Sequence, residues 1–211
     1  MASAVTSAGP QPGNSAIVVP ASIGEGIFIV HQGRKPPVLP WPDIGSVAKW
    51  SVSSFKFGFG PECLQDEDPE TFWHSDGPQP HFVTIEFPRK MAIQKLSLFL
   101  SFPLDDSYTP AALSVRAGTG PGDLQEVRAV TLEKPDGWIT FDVSAEPGED
   151  GEGFKPIHAY ILQVIIIANH MNGKDTHVRG MRVLGPVEDQ AAWGDPFPFV
   201  DTKFKMYEHI R

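Results

Sequence analysis

Cys63 is the chain's only cysteine, so no internal disulfide can form, whereas a small secreted β domain would ordinarily carry one. A reducing compartment is expected. Basic residues are scarce too: 17 Lys and Arg stand against 26 Asp and Glu, a formal net charge of −9, and nowhere do Lys and Arg cluster. Phosphate binding needs such clusters, so neither nucleic acid nor an anionic membrane is expected as the main partner. No Lys or Arg precedes Arg34, so the basic region of a signal peptide is missing. The longest early apolar stretch, residues 17–30, is too short to span a bilayer and is broken by Pro20, Ser22, Glu25 and glycines. The expected setting is soluble, in nucleus and cytoplasm.

What the chain does contain is 20 Gly, 21 Pro and an ordinary 41 % of hydrophobic residues in 211 positions. That length holds one sandwich or barrel domain plus extensions, and the Gly and Pro content favours short strands and many turns. Three parts are expected: an N-terminal extension over residues 1–42, a β domain over 43–186 and a tail over 187–211. Residues 1–16 are small, polar and Pro/Gly-rich, and residues 31–42 form a linker stiffened by Pro36, Pro37, Pro40 and Pro42. Between them, residues 23–30 (IGEGIFIV) are read as mobile in preference to an added edge strand. Asp43 is placed to cap a short helical turn reaching Trp50.

Beyond Trp50 the apolar residues recur with period two, the signature of strands. Val83, Ile85 and Phe87 alternate with Thr84 and Glu86. Leu96, Leu98, Leu100 and Phe102 share a face opposite Ser97 and Ser101, and Ile139, Phe141 and Val143 alternate with Thr140 and Asp142. Residues 160–168 (YILQVIIIA) read as a strand covered on both faces. Turn signals separate these runs, which predicts an antiparallel sandwich or jelly roll.

Three inter-strand loops carry more polar groups than a connection needs: residues 71–81 (TFWHSDGPQPH), 104–110 (LDDSYTP) and 169–179 (NHMNGKDTHVR). Such loops gather at one end of a sandwich, where binding sites are commonly built. Asp105, Asp106, Ser107 and His170 supply the residue types of a hydrolase triad, but no strand–turn–helix nucleophile elbow is present, and adjacent carboxylates on a strand would face opposite ways. His170 and His177, like His74 and His81, are seven apart, which is no recognised zinc spacing, so no metal or cofactor is expected. In the third loop, Asn172-Gly173 would supply a two-residue turn with positive φ. That turn leaves Asn169, His170, His177 and Arg179 without a structural need, and a decorated hairpin and a binding loop both stay open.

Read together, these segments resemble the Doc domain of the anaphase-promoting complex. The matching stretches are AKWSVSSFKFGFG (48–60), TFWHSDGPQPHFVTIEFPRK (71–90), DDSYTP (105–110), LQEVRAVTLEKPDGWI (124–139) and ANHMNGKDTHVRGMRV (168–183). They follow the family's order and spacing over roughly residues 43–186. The chain ends in MYEHIR, and a terminal Ile-Arg is the family's docking tail. His74 stands where the family more often has glutamine, and Asp106 where it usually has glutamate.

The resemblance implies an all-β, galactose-binding-like jelly-roll sandwich with short helical turns and extended tails. It implies a non-catalytic subunit of a ubiquitin ligase that, with a coactivator subunit, receives the destruction-box degron of substrates and promotes processive ubiquitination. Ile210 and Arg211 would dock in a groove of a helical-repeat scaffold subunit, with other ligase subunits as further partners. The degron surface would comprise Ser75, Asp76 and Gly77, then Asp106, Ser107 and Tyr108, and Asn169, His170, Asn172, Gly173, Asp175, Thr176, His177 and Arg179. Asn169 and Asn172 offer donor and acceptor to peptide groups, the aspartates suit basic residues, and the histidines add donors. The rival classes are a carbohydrate-binding module, since this fold is shared with sugar-binding domains, and a Doc-type domain of another ligase.

Overall fold

The computed structural model describes residues 16–20, 27–148 and 153–187. Residues 1–15, 21–26, 149–152 and 188–211 lie outside that description, and with them the expectations for the polar stretch before Ala16 and for Ile210 and Arg211. The strands in chain order are β1 (Ala16–Pro20), β2 (Ile27–His31), β3 (Lys49–Val52), β4 (Trp73–His74), β5 (His81–Ile93) and β6 (Lys95–Ser101). After the short helix α1 (Phe102–Asp105) come β7 (Pro110–Gly118), β8 (Gln125–Thr131), β9 (Asp136–Asp142), β10 (Ile157–Asn169), β11 (His177–Val178) and β12 (Gly180–Leu184). One five-stranded sheet runs β1-β2-β9-β6-β12 and the other β3-β5-β10-β7-β8, while β11 pairs with β4 alone. Every pairing is antiparallel. Among the described residues no helix is long and apolar enough to cross a membrane.

Alternation sets the core as expected. Val83, Ile85 and Phe87 of β5, Leu96, Leu98 and Leu100 of β6, Phe141 of β9 and Leu162, Val164 and Ile166 of β10 meet between the sheets. Burying each such side chain contributes roughly 1.5–3 kcal/mol, which is what pins the register. The outer face of β6 departs from a simple wet face. Its seven residues are all buried, because Ser97 shares a hydroxyl hydrogen bond with Thr140 (2.8 Å), Lys95 pairs with Asp142 (2.7 Å) and Phe99 stacks on Trp138. The proline-rich segment lies over this face: Trp138 Nε1 donates to Arg34 O, and the Lys95 ammonium sits 4.5 Å from the Trp41 ring centroid.

Four expectations need correction. Of residues 23–30, read as mobile, 27–30 together with His31 form β2 and pair with β9 (Ile29↔Thr140, Val30↔Ile139, His31↔Trp138), because the open edge of β9 accepts the β-branched run. The turn after Asp43 is one 3₁₀ turn over Gly45–Val47, capped when Gly45 N–H donates to Asp43 Oδ1 (2.8 Å), and Trp50 already belongs to β3. Phe102 does not share the face of Leu96–Leu100; it opens α1. The double cover of β10 is incomplete, since its outer face is open at Tyr160 and Ile167.

Candidate functional site

The three polar loops converge at one end of the sandwich because strand pairing and buried charge tie them together. The ladder β4–β11 sets His74 opposite His177 and Trp73 opposite Val178. One residue outward, Ser75 N–H donates to Thr176 O (3.1 Å) and Thr176 N–H donates back to Ser75 Oγ (2.9 Å). This joins the first loop to the third. The second joins through His170 N–H to Thr109 O (2.9 Å) and Thr176 Oγ1 to Tyr108 O (3.3 Å). His81 Nε2 and Gln79 Nε2 both donate to Lys174 O, at 2.7 and 2.9 Å, fixing the third loop from its other side.

Beneath the loops lies a buried ionic frame. Asp105, 5 % exposed, accepts from Arg179 Nε at Oδ2 (2.7 Å) and from Arg179 Nη2 at Oδ1 (2.8 Å). His177 Nδ1 donates to the same Oδ1 at 3.0 Å. Burial alone would raise the Asp105 pKa, but the hydrogen bonds from His177 and Arg179 and the guanidinium charge outweigh it and hold the carboxyl below its ordinary value. Arg179 Nη1 also donates to Pro69 O (3.1 Å), and its guanidinium lies over the Phe72 ring. The His177 imidazole is held between Tyr108, stacked at 4.3 Å and 12°, and Phe72, also at 4.3 Å. Its Nε2 faces His74 Nδ1 at 3.0 Å.

The third loop is built differently from the expected two-residue turn. Met171 (φ 52°) and Asn172 (φ 57°) take the positive-φ positions, while Gly173 has φ −58°. Gly173 is needed for close approach: a Cβ there would stand 1.7 Å from Ser107 O. Asn169, 6 % exposed, spans the loop by donating from Nδ2 to Gly173 O (3.3 Å) and Asp175 O (2.8 Å). Asn169 Oδ1, Thr109 Oγ1 and His170 Nε2 are buried with no partner among the described residues.

The residues named from sequence therefore divide. Ser75, Asn169, Thr176 and Arg179 are buried, and His177 has both ring nitrogens engaged inside the frame. These five hold the loops in place, which corrects the reading of Asn169, His177 and Arg179 as lacking a structural need. His170 is half-buried with its ring edge on Phe102. Asp76, Gly77, Asp106, Tyr108 and Asn172 lie exposed, while Ser107, Gly173 and Asp175 are half-exposed. Sequence reasoning named Asp105 and His74 without a part in holding the loops and did not single out Phe72. Phe72 and His74 are two apart beside the inward Trp73, so period two already put them on one face. Asp105 had no local signal. The Asp105–His177 pair resembles two members of a catalytic triad, but the nitrogen that would meet a nucleophile meets His74. Among the described residues no three His, Cys, Asp or Glu side chains gather to hold a metal ion.

A jelly-roll sandwich with its polar site built on loops at one end belongs to the galactose-binding-like class. The structure overlays the family 32 carbohydrate-binding module of C. perfringens NanJ, solved with galactose, with a TM-score of 0.52 over 66 % of this chain and 94 % of that one, at 14 % identity. Identity that low shows the fold alone. The particular family comes from sequence: residues 32–209 match the family described as anaphase-promoting complex, subunit 10 (APC10). The chain is 42 % identical over 170 residues to anaphase-promoting complex subunit 10 of Homo sapiens, covering 80 % of this chain and 88 % of that protein. With the subunit 10 protein of Schizosaccharomyces pombe it shares 39 % over 171 residues, 80 % of this chain and 87 % of that protein. The chain belongs to this family, the Doc-domain subunits of the anaphase-promoting complex.

Proposed function

We propose that this chain is a non-catalytic, substrate-recognition subunit of the anaphase-promoting complex, forming with a coactivator subunit the receptor for destruction-box peptides and thereby promoting processive ubiquitination of cell-cycle proteins. One observation carries the reading: the exposed carboxylates Asp76 and Asp106 and the half-exposed Asp175 project from loops that buried Asp105, Arg179 and Asn169 hold in one arrangement. Such a surface is acidic, pre-organised and small, which suits a basic, extended peptide bound weakly on its own. Useful affinity then comes from sharing the peptide with the coactivator, which raises effective concentration. Ile210 and Arg211 would dock in a groove of a helical-repeat scaffold subunit, by an apolar side chain and a guanidinium. The reading implies a chain working in nucleus and cytoplasm.

The test is a reconstituted ubiquitination assay on a destruction-box substrate with Asp76→Asn/Asp106→Asn, which removes charge and keeps shape. Shorter ubiquitin chains per binding event are expected, with the variant still bound to the complex. Unchanged processivity would remove this surface from substrate recognition. Deletion of Ile210 and Arg211 is expected to weaken co-purification with the complex and leave folding intact.

A further inference from the structure

We propose that His74 is the residue through which this site reads its ligand: held at Nδ1 by His177, it offers Nε2 as a bare acceptor and demands a hydrogen-bond donor from the peptide. The inference rests on the peptide-receptor reading above and adds the chemistry of one contact, made from the first of the three polar loops.

The argument is one of proton positions, and it starts at Arg179. A guanidinium has donors only, so both oxygens of Asp105 accept from it, at 2.7 and 2.8 Å. Asp105 is thereby fixed as a carboxylate, which likewise only accepts. His177 Nδ1, 3.0 Å from Asp105 Oδ1, must then carry a hydrogen. In the neutral imidazole this leaves His177 Nε2 as a lone pair. His74 Nδ1 lies 3.0 Å from that lone pair and must supply the hydrogen between them. The neutral His74 ring is left with a bare Nε2. That nitrogen has no partner among the described residues and is open to solvent. The ring cannot flip to exchange its nitrogens without breaking its bond to His177, and Phe59, Phe72 and Tyr108 pack around it.

The relay also fixes what one added proton does. The position between the two rings holds one hydrogen: with none the bond is lost, and with two the hydrogens collide. His177 Nδ1 already carries its own. An added proton therefore ends on His74 Nε2, whichever ring bears the charge, and turns the acceptor into a donor. Around the pair stand Lys56, Asp76 and Asp175 on the His74 side and Asp105, Arg179 and Tyr108 on the His177 side. Burial first, then His177 and Lys56, lower the His74 pKa, against a smaller opposite pull from Asp175 and Asp76. The lowering of the His74 pKa favours the acceptor form, and an added proton in acid removes it. The carboxylates nearby favour a donor that is cationic or lies next to a cation, on a basic peptide.

Two measurements on the full chain test this. Long-range ¹H–¹⁵N correlation of the histidine rings at neutral pH is expected to show His74 protonated at Nδ1 and bare at Nε2. On titration with a synthetic destruction-box peptide, the Nε2 resonance is expected to move toward its hydrogen-bonded position. His74→Ala should weaken the peptide by about fivefold to tenfold, the loss of one hydrogen bond. His74→Gln, which keeps an acceptor, should bind within about twofold of wild type and lose the weakening that wild type shows on acidification. A peptide with its Lys and Arg replaced by norleucine separates the donor's source: an unchanged response means a backbone amide, a lost one a cationic side chain, and either supports the acceptor role. Nε2 protonated at neutral pH, an unmoved Nε2 under bound peptide, or His74→Ala binding like wild type would each overturn it. No peptide binding by wild type even with the coactivator subunit present would take down the receptor reading and this contact together, whereas binding with His74 unmoved takes down the contact alone.

Discussion

Two buried ionic clusters among the described residues have similar chemistry and opposite consequence. On the outer face of β6, Lys95 and Asp142 meet at 2.7 Å, backed by Gln94 and the Trp41 ring, and the pair ends there. At the loop end, Asp105 meets Arg179 at 2.7 Å and continues through His177 to His74 at the surface. Both clusters bear the desolvation of two charges. The first is a strand-register device: it ties β6 to β9 and, through Gln94 and Trp41, to the chain packed beside them, with no onward hydrogen bond to the loop end. The second sets the orientation and tautomer of a surface group. A buried pair becomes functional when one partner has a further hydrogen bond to pass outward.

The largest expected effect breaks each cluster by half. Asp105→Ala leaves the Arg179 guanidinium buried and unpaired, and Asp142→Ala does the same to Lys95; each is expected to lose about 3–5 kcal/mol in urea denaturation of the full chain. Replacing both partners is where the clusters should part. Lys95→Met with Asp142→Leu is expected to return to wild-type stability or above it, with peptide binding intact, because well-packed apolar residues often replace a buried pair without loss. Asp105→Leu with Arg179→Met should regain only part of its stability and bind peptide poorly, because His177 Nδ1 has lost the acceptor that satisfied it and fixed its ring. Equal binding by the two double variants would erase the distinction.

A smaller effect sharpens the loop end. Gly173→Ala puts a Cβ 1.7 Å from Ser107 O, so the 104–110 and 169–179 loops must separate. The expected loss is about 1–3 kcal/mol, the cost of overpacking a fitted site, and it is measured by the same denaturation. Gly122→Ala, where no atom lies within 4 Å of the added carbon, is the control and should stay within about 0.5 kcal/mol.

How much of this was legible depends on the range of the interaction responsible. Val83–Ile85–Phe87 and Leu96–Leu98–Leu100 announce their strands because alternation is local and burial rewards it on the spot. The convergence of the three loops was legible from strand ends and a general property of sandwiches. The division of labour inside them was not. Asp105 and Asp106 are neighbours of the same type, and only Arg179, 74 residues on, makes one the frame and leaves the other exposed. The same holds for β2, whose order comes from the free edge of β9, more than a hundred residues downstream. Gly173 was read as a turn former from its neighbour Asn172, while its real constraint is Ser107 in another loop.

The smallest expected effect is one of pH, and it isolates the open end of the second cluster. The His74 pKa is lower in the fold than its ordinary value, so the unfolded chain binds the proton more readily. Stability then rises with pH wherever the unfolded state holds more protons. The contribution of His74 is complete above the unfolded value, about 6.5, and falls away as pH drops toward the lowered folded value. His31 is shifted the same way by burial, so wild type alone does not identify the source. The difference between wild type and His74→Gln does, since His31 is common to both. The urea midpoint of wild type should decline more steeply than that of the variant as pH falls below about 6.5, and the two should run parallel above it. Further down, Asp105 adds a loss of its own in both proteins: its depressed pKa gives stability that is full above the unfolded value of about 3.9 and disappears as pH falls through the folded one. Parallel curves over the whole range would mean that His74 titrates as it does in the unfolded chain, against the lowering that its burial produces.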